Sequence, residues 1–194
     1  TTGAGKGVLS IASIAVEKIM KLTPDLSEAQ VLVVGTGTMG IRALKRLMAE
    51  KVGRIALCNR TDERAEKFAR RFGLSPVKFG DLAAQWNRFD VIMLAAANDG
   101  TPLVGREEIE MSRKGANRHL LIVDLGAPRN TEESISSVDG VSLVGIDDLR
   151  EIAERRLLGR ENEIDAVSDI IEEQVREFTR WYRYKNDLVC GIIE

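Results

Sequence analysis

Residues 31–50 constrain the fold more than any other stretch. Val31-Leu32-Val33-Val34 is a run of four apolar, mostly β-branched residues and reads as a buried strand. Gly35-Thr36-Gly37-Thr38-Met39-Gly40 follows, with its glycines at the G-x-G-x-x-G spacing. From Ile41 to Glu50 the apolar residues Ile41, Leu44, Leu47 and Met48 are spaced for one face of a helix. Strand, glycine turn and helix together form the opening unit of a dinucleotide-binding sheet. Gly35 lets the chain turn sharply, Gly37 lets backbone approach a pyrophosphate, and Gly40 lets the helix sit close on the strand. The helix N-terminus then presents unpaired N–H groups and a partial positive charge to phosphates. Gly35, Thr36, Gly37, Thr38, Met39 and Gly40 are therefore the candidate cradle. The competing reading is a glycine turn that is only structural.

The 194 residues suffice for one domain plus an appendage, or two small domains. A net charge of −2 implies no overall attraction to nucleic acid or to a membrane surface, though a local basic face stays open. No apolar run approaches the ~20 residues that span a bilayer, and no membrane association is expected. Cys58 and Cys190 give neither a disulfide framework nor a metal-ligand pair, which suits a reducing, cytoplasmic setting. The chain begins at Thr1 without a Met and is read as a piece of a longer protein.

Three regions are expected. Residues 1–30 form a linker and a helix, capped by Ser10 and stopped by Thr23-Pro24-Asp25, that packs on the nucleotide domain. Residues 31–146 form the nucleotide domain. Further strands are predicted at 54–58, 77–79, 90–95, 120–125 and 141–144. Helical pieces follow Thr61, start at Asp81 (with Trp86), run over 105–111 and follow an Asn130 cap. Six strands alternating with helices predict an α/β fold: a Rossmann-like, doubly wound, mostly parallel sheet. Residues 147–194 are expected to form a long C-terminal helix. From Asp148 to Lys185 there is no proline and one glycine, Gly159, which gives about 57 Å of helix at 1.5 Å per residue. The seam of Ile164, Val167, Ile171, Val175, Phe178 and Tyr182 wants a partner. Two shorter helices broken near Gly159 are the alternative.

An NAD site usually places Asp or Glu at the end of the second strand, about 20 residues past the glycines, to hold the ribose 2′-hydroxyl. Here Cys58-Asn59-Arg60-Thr61 stands there instead. Asn59 adds no charge, Arg60 can pair with a 2′-phosphate, and the Thr61 hydroxyl can assist, a pattern that favours NADP over NAD. The bland alternative makes Arg60 a solvated charge and Thr61 a helix cap. Ala96 and Ala97, at the carboxyl end of the fourth strand, either leave room for ribose or nicotinamide or serve close packing. In Asp124-Leu125-Gly126-Ala127-Pro128-Arg129-Asn130, Gly126 and Ala127 can pass near a nicotinamide ring. Asp124 is a polar wall of the site or a strand-end acceptor, and Arg129 is a substrate anchor or a surface charge. Cys58 reads as a buried apolar residue, and His119, the one histidine, as structural. No nucleophile set, carboxylate pair or metal spacing stands out, so the site binds a hydride carrier without visibly activating a substrate.

These motifs together resemble the glutamyl-tRNA reductase family, the NADPH enzymes that make glutamate-1-semialdehyde for tetrapyrrole (porphyrin) biosynthesis. The matching pieces are Gly7-Val8-Leu9-Ser10 through Ala15-Val16-Glu17, Val31 to Gly40, Asn59-Arg60-Thr61, Asp124 to Asn130, and Ile146-Asp147-Asp148-Leu149. The Asp124–Asn130 segment is similar to the family's D-[IL]-[AS]-x-P-R-[DN]. Asp-Asp-Leu leads into its long spinal helix, and Glu177-Phe178-Thr179-Arg180-Trp181 looks like the later part of that helix. The resemblance implies NADPH as cofactor and glutamyl-tRNA as substrate, reached through a domain not in this chain. It also implies a homodimer in the full-length protein and glutamate-1-semialdehyde aminomutase as a partner. The family's catalytic cysteine motif has no counterpart here, and Cys58-Asn59-Arg60, at the end of a strand, is not one. The glycine turn is Gly-Thr-Gly-Thr-Met-Gly where the family usually has Gly-Ala-Gly-Glu-Met-Gly, and Ala96 stands where threonine is common. The expected function is thus the coenzyme domain of such a reductase, able to bind NADPH but inactive alone. Alternatives are a complete NADP-dependent dehydrogenase of the shikimate-dehydrogenase type, for which thirty N-terminal residues supply no substrate domain, and a non-catalytic Rossmann module.

Overall fold

The computed structural model describes residues 10–115 and 118–158. Ser10 caps helix α1 (Ile11–Leu22), its side chain accepting from the Ser13 amide at 3.3 Å. Then come β1 (Gln30–Val34), α2 (Thr38–Ala49), β2 (Arg54–Cys58), α3 (Asp62–Phe72), β3 (Ser75–Val77), β4 (Val91–Leu94), α4 (Arg106–Arg113), β5 (Leu120–Asp124) and β6 (Val141–Val144). Residues 146–158 are helical. The six strands form one sheet in the order β3-β2-β1-β4-β5-β6, and every pairing is parallel. The expected α/β, Rossmann-like, doubly wound sheet is the observed fold. No helix among the described residues is long and apolar enough to cross a membrane.

Alternation along the strands feeds two apolar layers. Val31 and Val33 of β1, Val91 and Met93 of β4, and Leu121 and Val123 of β5 join α1, α2 and Leu149 on one face. Leu32 and Val34, Ile92 and Leu94, and Leu120 and Ile122 join Trp86, Phe89, Ile109 and Ile135 on the other. A strand buried on both faces has no polar side to show, which is why these runs are continuously apolar. The first compact unit ends at Ala153. The part of the expected linker that precedes Ser10 and everything proposed for 159–194, including the helical seam, Gly159 and Cys190, lie outside the described residues.

Three local expectations need correction. The third strand is Ser75–Val77 rather than 77–79, because the Asp62 carboxylate takes the Phe79 amide at 3.0 Å and turns the chain into a 3₁₀ turn, Phe79–Asp81. The helix expected from Asp81 is instead that turn and a second one, Trp86–Arg88. Leu82, Trp86 and Phe89 are buried at helical spacing, but so short a segment does not sustain an α-helix. Asn130 caps no helix. The following 3₁₀ segment, Glu133–Ser137, starts from Glu132.

At the glycine turn the backbones themselves are in contact. A Cβ on Gly40 would overlap the Gly35 carbonyl oxygen, and it would lie 3.3 Å from the Ala95 Cβ. Since backbone cannot swing aside, Gly40→Ala is expected to cost about 1–3 kcal/mol of stability. It should appear as a lower urea midpoint at unchanged slope.

Candidate nucleotide-binding site

Parallel pairing brings the carboxyl ends of all strands to one edge. The order reverses at β1, which has β2 on one side and β4 on the other. Ligands of open α/β sheets bind in the crevice at such a switch point. Gly35 leaves β1 at φ +108°, and its amide donates to the Cys58 carbonyl of β2 at 2.8 Å. A Cβ there would come within 2.6 Å of the Ala95 carbonyl group, so the turn is wedged between the ends of β2 and β4.

The α2 N-terminus, with Gly37 as N-cap, carries no side-chain cap and no acid in its first turn. By contrast, α3 begins with Asp62 and Glu63, and α4 with Glu107 and Glu108, in their first turns. Those helices neutralise their own dipoles, and α2 leaves its positive end uncompensated. Around the Cβ position of Gly37 nothing lies within 4 Å, so the space before the first amides is open. Thr38 is exposed there and Met39 half-buried. The donors are backbone amides and guanidiniums. Among the described residues no cluster of three or more His, Cys, Asp or Glu side chains could hold a metal. This set fits the phosphates of a nucleotide.

The segment after β2 is tied to the turn. Asn59 Oδ1 accepts from the Thr36 amide at 3.2 Å and from the Thr36 hydroxyl at 3.1 Å, and its Nδ2 donates to the Thr61 carbonyl at 3.3 Å. Arg60 is exposed and makes no hydrogen bond or ion pair among the described residues. Thr61 is the N-cap position of α3, but its side chain makes no capping bond, which leaves the hydroxyl at the surface. Arg64, which the sequence reading passed over, donates from Nη2 to the Thr36 carbonyl at 3.4 Å. The signal was available: a cation in a helix's first turn opposes the dipole and needs another reason to be there.

Ala96 is half-buried, its carbonyl accepting from Asn130 Nδ2 at 3.1 Å, and Ala97 is exposed at the rim. Asn98 Nδ2 reaches the Pro128 carbonyl at 3.0 Å, the Arg129 carbonyl at 3.1 Å and Asn130 Oδ1 at 3.0 Å. Asp99, exposed beside it, has its carboxyl held below the usual range chiefly by the Thr101 amide and hydroxyl, with a smaller pull from the Arg60 charge. Gly126 is buried, and the room its missing side chain leaves is filled by Asn130 and the Pro128 carbonyl. The Ala127–Pro128 peptide is cis.

Asp124 is a strand-end acceptor. Its buried carboxylate takes five hydrogen bonds of 2.7–3.1 Å from Gly126, Asn130 and Thr131. Arg129 pairs with Asp147 at 3.2 Å and Glu133 at 3.7 Å, which commits its charge within the protein. Cys58 is buried, and burial, aided by the nearby Asp62 charge, pushes its thiol up to about 12. It is no nucleophile at neutral pH. His119 is exposed, with Nε2 3.0 Å from the Ser142 hydroxyl on neighbouring β6.

An open, all-parallel sheet with a glycine turn and an uncapped helix at its switch point defines a Rossmann-type nucleotide-binding domain. The chain belongs to the Shikimate / quinate 5-dehydrogenase family, which it matches over residues 16–152. More particularly, it is homologous to glutamyl-tRNA reductases. It is 36% identical over 176 residues to that of Archaeoglobus fulgidus, covering 91% of this chain and 40% of the relative. The solved glutamyl-tRNA reductase of Methanopyrus kandleri is 35% identical with a TM-score of 0.72, over 87% of this chain and 43% of that one. The nucleotide binding domain of the Thermoplasma volcanium enzyme shares the fold, with a TM-score of 0.61 at 24% identity, over 80% of this chain and 99% of that domain. The chain thus spans about two-fifths of the length of the curated relatives it matches.

Two outcomes follow from the buried groups. Asp124→Asn replaces an acceptor by an N–H₂ that faces donors, and should cost about 2–4 kcal/mol in denaturant unfolding. The folded state keeps the Cys58 proton to higher pH than a free thiol at 9.0. That contribution to stability is present below pH 9 and is lost as pH climbs toward 12. At pH 8 Cys58 should therefore resist iodoacetamide in the native protein and react once unfolded, as read by peptide mass mapping.

Proposed function

We propose that this chain is the NADPH-binding portion of a glutamyl-tRNA reductase. In that enzyme NADPH would supply the hydride that takes a glutamyl thioester to glutamate-1-semialdehyde, a step toward tetrapyrroles. The observation that carries the reading is the pairing of an acid-free, open α2 N-terminus with Arg60 at the end of β2, where no carboxylate stands to hold a ribose 2′-hydroxyl. On this reading the turn Gly35, Thr36, Gly37, Thr38, Met39 and Gly40 cradles the diphosphate, with the first amides of α2 donating while those of Gly35 and Thr36 stay with the Cys58 carbonyl and Asn59. Arg60, helped by the Thr61 hydroxyl, meets the 2′-phosphate through its planar fork, with Asn59 ordering the segment. Ala96 and Ala97 give the ribose and ring small-walled space beside β4, and Gly126 keeps the chain after β5 compact on the far side. The family relationship supports the reaction, and the buried, protonated Cys58 supports placing the nucleophile outside this chain.

The same reading assigns residues 1–30 to a packing helix with its linker, 31–146 to coenzyme binding and 147–194 to a spinal helix that opens the dimerisation region. It places glutamyl-tRNA on the remaining part of the enzyme, makes the full-length protein a cytoplasmic homodimer, and allows glutamate-1-semialdehyde aminomutase as a partner.

Calorimetry on this chain should show NADPH binding more tightly than NADH. Arg60→Glu should cut that preference roughly 10- to 100-fold, the scale of a charge-assisted phosphate contact. An unchanged preference, or no NADPH binding at millimolar ligand, overturns the assignment. With glutamyl-tRNA and NADPH the chain alone should turn over at background.

A further inference from the structure

Thr36 occupies the middle of the first glycine pair, and its position is unusual in what it holds. It is 3% exposed, so its side chain is turned into the protein and away from the open space before α2. Both of its donors, the amide and the hydroxyl, go to one atom, Asn59 Oδ1. The backbone N–H can only donate, so the Asn59 carboxamide must present its oxygen to Thr36, and its Nδ2 is left for the Thr61 carbonyl. The amide's orientation is thereby set, and with it the short chain from 59 to 61 that carries Arg60. Arg64 holds Thr36 from the other side through its carbonyl. Arg60 itself has no hydrogen bond or ion pair to fix it among the described residues, so its placement depends on the backbone it hangs from.

We propose that Thr36 is a specificity-positioning residue: its hydroxyl fixes Asn59, and through Asn59 the segment that presents Arg60 to the 2′-phosphate of the coenzyme. The inference rests on the NADPH-binding reading and deepens it. Thr36 stands in the turn that serves the diphosphate, which NADPH and NADH share. If the hydroxyl shaped only that turn, its removal would weaken both coenzymes alike. A loss confined to NADPH points instead to the segment after β2, where Asn59 is the partner of that hydroxyl.

The test is calorimetric titration of this chain with NADPH and with NADH, in the wild type, Thr36→Val and Thr36→Ser. Valine keeps the shape and deletes the hydroxyl; serine keeps the hydroxyl. T36V should weaken NADPH about three- to tenfold, as expected for one neutral hydrogen bond, while NADH changes less than about twofold and T36S binds as the wild type does. Equal losses for both coenzymes, no loss in T36V, or a T36S as impaired as T36V would each overturn the role of Thr36. If T36V melts out by circular dichroism at the titration temperature, Thr36→Ala takes its place with the same expectation. A wild-type chain that binds neither coenzyme overturns the NADPH-binding reading and this inference with it. A wild type that prefers NADPH, with the preference unaltered in T36V, overturns this inference alone.

Discussion

The contact on which the structure depends is the approach of three backbones at the end of β1. Gly35, Gly40 and the Ala95–Ala96 peptide meet so closely that no Cβ fits on either glycine. This contact sets α2 down on the sheet, aims its first amides along the carboxyl edge, and spaces β1 from β4 where the order of strands reverses. A polar crevice in a protein interior is normally expensive, because unpaired N–H groups must be left without partners. Here they are left at a solvent-exposed helix end, which water can reach.

Around that contact the chain uses two different means to hold its loops. On the β2 side the side-chain connection runs to one residue of the glycine turn, Thr36, gripped by the Asn59 amide with Arg64 on its carbonyl. On the β5 side it is a buried carboxylate, Asp124, surrounded by neutral donors and in no ion pair among the described residues. Such a charge tolerates burial because its lone pairs are filled by short, directed bonds from the loop it organises. Both means put stiff walls beside the crevice and leave Arg60 exposed at its mouth.

Much of this was legible in the sequence. Strands buried on both faces read as continuous apolar runs, and Arg54–Cys58 and Val141–Val144 agree residue for residue with the expectation. The glycine spacing located the turn, and Gly73, in the left-handed region at φ +68°, ends α3 as a glycine after a helix commonly does. What escaped was side-chain bonding over long separations. Asn130 looked like a helix cap because Asn often is one. Its actual partners, Asp124 and Ala96, depend on strand packing that no local pattern encodes. The stretch 79–89 failed for a different reason. Its apolar spacing is helical, but the Asp62 carboxylate captures the Phe79 amide and the chain spends its short length on 3₁₀ turns. Asn59 was singled out for the coenzyme site, yet its acceptor oxygen turns toward the protein.

The side chain of Asn98 has an arithmetic of its own. Its amide nitrogen carries two hydrogens and has three oxygens within 3.1 Å, all on the chain after β5. Two of the oxygens must share one hydrogen. One side chain after β4 thereby ties three successive residues after β5. The crevice therefore has one side gathered onto the Asn98 nitrogen and the other onto the Asn59 oxygen.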